Sequence, residues 1–429
     1  MEYPSKLHPS YLAHSWLCKS SWAVRQRQPD SNLRPTCHQS SLSQPTVLLL
    51  ARNNKDSCGA HCSSVADIAE SDIMHGHVPP LEDFLDTVGT LSPHIKQFQI
   101  RIPRPHLFDS AICSHIRRQT SLQVLHCHDV ALDADIISHL SGLLTLTELS
   151  FTLFPYVPNW IGFVFAFPTL TRLEIRSQSL EPINELLSCI QLPKVEDISV
   201  NSSGYLSKET FRAYTTTVRN VCSPNSLASI SIRNVNPPAL TLVDNESGHR
   251  LTLDDLRACM TLVNLRHVNI NIRWSVDLTD DDLLALVSTW SHIHTLHINE
   301  DWGWRTSRGI TLQGLLKLLQ KRPSLSALCI AIRSDSYADL PHEFDMGLLP
   351  SPGPLMIDLA DSPIRPADIP ELVDVFVKLR LPTIYSLSAW SGIYMGSIEG
   401  AARYRCAWDQ VFDGVKRASE GSLGLSGRW

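Results

Sequence analysis

No stretch of this 429-residue chain stays apolar for long. The densest run, Trp160 to Phe167, falls far short of the ~20 residues that a membrane-spanning helix needs, so no contact with a membrane is expected. Met1 to His14 is polar and lacks the apolar centre of a secretory leader. Basic charge is also short: 37 Lys and Arg stand against 43 Asp and Glu, for a net charge of −6. Nucleic-acid binding calls for a clustered basic footprint, so no nucleic-acid partner is expected. Catalytic signatures are missing as well. There is no Gly-rich phosphate loop. Gly396-Ser397-Ile398-Glu399-Gly400 has the wrong order for a nucleophile elbow. Cys58, His61 and Cys62, with Cys37 and His38 upstream, supply metal-ligand types, but no second matched pair follows as zinc sites require. The eleven cysteines are scattered, and Cys127, Cys189, Cys259 and Cys329 sit in apolar contexts, as buried reduced thiols do. A cytoplasmic or nuclear compartment is the expectation. With no catalytic, metal or cofactor constellation in view, the chain reads as a non-enzyme.

What the sequence does hold is a repeated phrase. It is clearest at Leu170, Leu173 and Ile175, with the form apolar-x-x-apolar-x-apolar. It returns at Leu122/Leu125/Cys127, Leu146/Leu149/Phe151, Val195/Ile198/Val200 and Leu227/Ile230/Ile232. Further copies are Leu265/Val268/Ile270, Ile293/Leu296/Ile298 and Leu325/Leu328/Ile330. Weaker ones begin at Ile95, Pro354 and Ile384. From Ile95 to Pro354 the copies recur every 24 to 38 residues. An apolar phrase held in phase at such a period marks a solenoid. Positions four and six alternate with polar neighbours, so that half of the phrase reads as a short strand with one buried face. One unit cannot bury that face, whereas stacked neighbours can.

Helical spacing fills the gaps at Asp133–Leu140, Glu181–Ile190, Lys208–Val221, Leu251–Leu262, Leu278–Trp290, 311–319 and Pro366–Leu379. Thr279 ahead of Asp280, Asp281 and Asp282 predicts an N-cap with acids in the first turn. Residues 1–65 are rich in Ser, Gln, Pro and Asn and read as disordered or as a poorly predicted coding segment. Residues 66–94 predict a helical cap, 95–390 the solenoid, and 391–429 a closing helix at Tyr404–Ala418 followed by a flexible tail. The fold class is therefore α/β, a horseshoe with parallel strands on the concave face and helices on the convex face.

These phrases resemble leucine-rich repeats over residues 95–390. The long units with capped helices look like those of F-box leucine-rich-repeat proteins, particularly the divergent fungal ones. Cys18, Lys19, Ser20, Ser21 and Trp22 look like the tail of an F-box, placed at 11–22, with its first half lying before Met1. The resemblance implies a substrate-recognition subunit of a cullin-RING ubiquitin ligase. A protein substrate would sit on the concave face, and the ligase's adaptor subunit would be held through the N-terminus. The alternative is a stand-alone interaction scaffold without ligase contact. The ninth repeat position departs from the family pattern. It holds Val130, Phe154, Gln178, Ser203, Val235, Arg273, Asp301 and Arg333 in place of Asn or Cys. A missing turn ladder and an irregular coil are expected. Positions three, five and seven of the phrase face the concave side in such repeats. The candidate partner-binding residues are accordingly Arg172, Glu174, Arg176, Arg233, His267, Asn269, Asn271, His297 and Asn299. Trp274, Trp302, Trp304 and Arg305 join them because Trp and Arg are enriched at interface hot spots.

Overall fold

A strand with a single apolar face gains stability only when neighbours continue that face, and the chain solves this by stacking. The computed structural model describes residues 46–52, 63–69, 85, 94–101, 109–154, 160, 162–235, 249–305, 309–333, 355–378, 384–393, 395 and 400–425. The principal strands are β1 (Thr46–Arg52), β2 (Ser63–Ala69), β3 (Gln97–Arg101), β4 (Val124–Ala131) and β5 (Glu148–Leu153). After the two-residue β6 (Phe165–Ala166) come β7 (Arg172–Ser177), the short β8 (Ile190–Gln191), β9 (Asp197–Ser202) and β10 (Ser229–Asn234). The series continues through the short β11 (Arg250–Leu251), β12 (His267–Asn271), the short β13 (Ser275–Val276) and β14 (Thr295–Ile298). It closes with β15 (Ala327–Cys329), β16 (Leu355–Asp358) and β17 (Ile384–Ser388). Thirteen of these form one open sheet in the order β17-β16-β15-β14-β12-β10-β9-β7-β5-β4-β3-β1-β2. From β3 to β17 every pair in it is parallel.

The register follows the sequence phrase. Position four forms one continuous row: Phe98, Leu125, Leu149, Leu173, Ile198, Ile230, Val268, Leu296, Leu328, Ile357 and Leu387. As far as Ile357 no member is more than 3% exposed. Position six forms a second buried row from Ile100 through Cys127, Phe151, Ile175, Val200, Ile232 and Ile270 to Ile298. Each such side chain contributes about 1.5–3 kcal/mol on leaving water.

Helices cover this apolar face. They are α1 (Asp109–Arg118), α2 (Ala134–Ser141), α3 (Glu181–Ser188), α4 (Lys208–Val221), α5 (Leu253–Leu256), α6 (Asp280–Thr289), α7 (Leu312–Lys321), α8 (Ile369–Lys378) and α9 (Ala401–Leu425). Their buried residues join those of the strands in one hydrophobic cluster. Side-chain caps begin several of these helices, among them the one expected at Thr279. Asp133 accepts the Ile136 N–H at 2.8 Å, and Ser207 accepts the Thr210 N–H at 3.1 Å. Thr279 and Asp282 form a reciprocal capping box at the start of α6. Asp280 reaches to the next repeat and accepts the Thr311 N–H at 2.8 Å. Gly314 leaves room for that carboxylate, since a β-carbon there would lie 2.2 Å from Asp280 Oδ1.

Several expectations change. Residues 63–69 form a strand across the boundary between the segment read as disordered and the helical cap expected from residue 66, and Val47–Ala51 lies within its antiparallel partner β1. Strand β1 also pairs with β3, so this hairpin satisfies an edge whose N–H and C=O groups would otherwise be unpaired. No helix lies between β5 and β7 among the described residues; β6 pairs there with β8. The 251–262 segment splits into α5 and a 3₁₀ turn at Cys259–Thr261. Helix α9 runs on to Leu425, beyond the expected Ala418, and anchors through Trp408, whose indole N–H donates to the Ser362 carbonyl at 2.9 Å. The F-box-like stretch 11–22 and the Cys and His residues at 37, 38, 58, 61 and 62 lie outside the described residues. Among the described residues, no helix is long and apolar enough to cross a membrane.

Two substitutions test this architecture. Leu173→Ala removes a side chain at the middle of the apolar row and should cost about 2–5 kcal/mol in urea unfolding. Asp255 is buried and accepts from Thr252 N–H at 2.9 Å, Arg212 at 2.6 Å and Lys208 at 3.2 Å. Burial opposes its charge, but these donors outweigh burial and hold the carboxyl below its ordinary value. Asp255→Asn should therefore cost about 2–3 kcal/mol at neutral pH. A depressed carboxyl contributes its full stability above its unfolded pKa, about 3.9, and loses it as pH falls through the lower folded value. The gap between wild type and Asp255→Asn should stay constant above about pH 5 and close as pH falls through 4 and below.

Candidate functional site

Residues between the apolar positions point to the opposite face of the sheet, and no described helix covers them. Their register brings position three of successive strands into line as Glu148, Arg172, Asp197, Ser229, His267 and Thr295. Position five lines up as His126, Ser150, Glu174, Ser199, Ser231, Asn269 and His297. The centre of this face, at Ser199, Ser229 and Ser231, carries only small side chains. Larger ones rise on either side, so a hollow of about 360 Å³ opens across β5 to β14.

One wall of the hollow is an ion-pair chain that crosses strands. His126 Nε2 lies 2.8 Å from Glu148, Arg172 lies 3.2 Å from Glu148 and 3.7 Å from Asp197. The hydrogen bond from His126 is the largest influence holding the Glu148 carboxyl below its ordinary value, and Arg172 adds to it against the effect of burial. Burial acts against the Glu174 charge, but Arg176 at 2.9 Å, together with His128 and Ser150, outweighs it and keeps that carboxyl low as well. Asn201 donates a further hydrogen bond to Glu174 at 3.2 Å. The other wall carries His267, whose ring nitrogen lies 3.1 Å from the Thr295 hydroxyl, and His297, 3.3 Å from Glu300. Burial and the neighbouring His294 lower the pKa of His267. Asn269, two residues beyond His267 on β12 and opposite His297 on β14, belongs to this wall, and its buried side-chain oxygen has no hydrogen-bond partner. No group of His, Cys, Asp and Glu among the described residues is arranged to hold a metal ion.

The candidates from sequence divide into two sets. Arg172, Glu174, His267, Asn269 and His297 line the hollow, and Arg176 abuts it through Glu174. The others lie elsewhere. Arg233 is drawn to the end of the strands, where its guanidinium pairs with Asp301 at 3.1 Å. Asn271 is buried and holds the same carboxylate. Trp274, Trp302 and Trp304 do not form an exposed hot spot, because all three are buried. An indole combines a large apolar area with one N–H, so it fits inside wherever a carbonyl awaits a donor. Trp274 donates to Leu206 O at 3.1 Å, Trp302 to Asn234 O at 3.3 Å and Trp304 to Ile298 O at 2.9 Å. Arg305 stays exposed with its guanidinium 5.8 Å from the Trp302 ring centre.

Asn299, expected on the binding face, is a turn residue. Its side-chain oxygen accepts the Ile272 N–H at 3.0 Å, and its amide donates to Trp274 O at 2.7 Å and Gly303 O at 3.2 Å. Asn299 takes a left-handed backbone (φ 56°), as does Gly303 (φ 75°). Asp361 closes this loop by accepting the N–H groups of Trp304 at 2.6 Å and Arg305 at 2.7 Å. A turn ladder therefore exists where none was expected. Ser202 donates to Gln178 O at 3.3 Å, Asn234 to Gly204 O at 2.7 Å, and Ser362 accepts the Ile332 N–H at 2.7 Å. The ninth position does not hold an Asn or Cys; residues one or two places earlier do most of its work.

The polar site residues that sequence reasoning left out are Ser150, Ser199, Ser229, Ser231 and Thr295. Their signal was a run of small polar residues at equivalent positions of adjacent strands, which becomes a hollow only once register is known.

No family model and no curated protein matches this chain. Among solved structures, the TLR13–ssRNA13 complex is similar at 9% identity over 59% of this chain, with a TM-score of 0.25. The match takes in 38% of that protein's length.

Trp302→Ala and Trp304→Ala should each lower unfolding free energy by about 3–5 kcal/mol, as measured by urea denaturation. A surface hot spot would show a change within about 0.5 kcal/mol.

Proposed function

We propose that this chain is a non-enzymatic recognition protein, a leucine-rich-repeat-like horseshoe that holds a protein partner in the polar hollow of its sheet. Strands lie about 4.8 Å apart whereas packed helices need about 8–10 Å, so a helix layer behind a parallel sheet fans outward. The strand face then becomes the inner surface. The observation that carries the reading is the hollow itself, lined by polar side chains from six strands that register alone has brought together. The Glu148 and Glu174 carboxylates are held ionised by neighbouring donors, which suits recognition better than proton transfer.

The resemblance to F-box proteins extends this reading to the substrate-recognition subunit of a cullin-RING ubiquitin ligase, working in the cytoplasm or nucleus. In that role Cys18 to Trp22 would contact the adaptor subunit while the hollow takes the substrate. A stand-alone scaffold is the rival, and it needs no adaptor.

Affinity purification of the full chain separates them. Retention of the adaptor subunit is the result expected of a ligase component; its absence leaves the stand-alone scaffold. In the same assay Ser231→Trp, which fills the hollow, should abolish retention of the substrate partner while changing stability by no more than about 0.5 kcal/mol. Unchanged retention would move the partner off this face.

A further inference from the structure

The hollow has a chemical bias that the recognition reading does not by itself specify. Among its lining residues three are carboxylates, Glu148, Glu174 and Asp197, against the guanidinium of Arg172; Arg176 abuts the hollow and pairs with Glu174, which leaves one carboxylate in excess. Neither carboxylate with a shifted pKa is poised to take up a proton near neutrality: Glu148 and Glu174 both lie below the ordinary range. Of the two histidines in the lining, His267 is held toward its neutral form, and His297 lies 3.3 Å from the Glu300 carboxylate. The hollow therefore carries an excess of negative charge.

A second, independent observation points the same way. The side-chain oxygen of Asn269 is buried in the lining and accepts no hydrogen bond. A buried acceptor left without a donor is unfavourable, so the occupant that suits this site brings a donor. The floor at Ser199, Ser229 and Ser231 is small and polar and can accept as well as donate. Negative walls, an unmet acceptor and a floor of hydroxyls favour a cation that carries several N–H groups.

The size of the site narrows the choice further. It crosses six adjacent strands, β5, β7, β9, β10, β12 and β14, a span of about 24 Å at ~4.8 Å per strand. An extended chain advances about 3.3 Å per residue, so about seven residues of peptide cover that span. Resting on the recognition reading above, the geometry points to an extended segment of a partner protein that places an arginine or lysine side chain in the hollow. The basic group sits between Asp197 and Asn269, with the segment running across the strands.

Fluorescein-labelled nonapeptide pools test this, with Arg, Lys, Glu or Ala fixed at the centre and the flanking positions randomised. They are titrated against the full chain by fluorescence anisotropy. The Arg and Lys pools should bind, more weakly as salt rises, and the Glu pool should not. Asp197→Asn and Asn269→Leu should each weaken the Arg pool by about tenfold, since each removes an acceptor for a charged donor. Asp197→Glu should recover most of the loss, and Glu185→Gln, on the helix layer, should change nothing. Urea midpoints confirm that each variant is folded. Preference for the Glu or Ala pool, abolished by Ser231→Trp, would overturn the basic-segment inference and leave the recognition reading standing. Binding that Ser231→Trp does not affect would overturn both. No binding by any pool would overturn the inference, while the recognition reading would still rest on the partner-retention assay.

Discussion

Everything in this molecule depends on one constraint: a short strand with a single apolar face must find the same face on its neighbours. Position four of each repeat lies against position four of the next, from Phe98 to Leu387. A slip of one residue anywhere would turn the apolar residues outward and the polar ones inward. Burial of the apolar row therefore fixes register, and register fixes which polar residues share the opposite face. The hollow is a consequence of the core and has no separate scaffold.

The ends of the strands pose a different problem. Each turn leaves backbone groups that a regular ladder of Asn side chains would satisfy in a uniform coil. Here the repeats differ in length by up to 14 residues between copies of 24 and 38, so no single position can serve them all. Asn299, Asn234, Ser202 and Ser362 each take the task where the local turn permits. Indole N–H groups supply the rest, with Trp290 donating to Cys259 O at 3.2 Å and Trp390 and Trp408 sharing Ser362 O. This explains why the tryptophans among the described residues are interior. In an irregular coil they are large enough to fill the unequal gaps and polar enough to close a turn.

Much of the fold was legible because it rests on periodicity. The phrase marked the strands, and Thr279 marked a helix start through a local capping rule that requires no distant partner. The hairpin at 46–52 and 63–69 was not legible, because pairing with the free edge of β3 is a long-range event between segments of weak pattern. The candidate site was half legible. Arg172, Glu174, His267, Asn269 and His297 were placed on the open face by alternation alone. Trp302, Trp304 and Asn299 were misplaced because side-chain type signals an interface only if the residue is exposed, and exposure at a turn is set by what packs above it.

The amino-acid sequence by itself determined the stacking, since the spacing of apolar residues within each repeat admits one face for burial and one for solvent. Only the tertiary structure decided where the hollow lies and what it is made of. Serines from β9 and β10, carboxylates from β5 and β7 and histidines from β12 and β14 are separated by up to about 150 residues, from Glu148 to His297. No local rule relates them. They meet because the strands are neighbours about 4.8 Å apart, and that adjacency exists only once the apolar row has closed behind them.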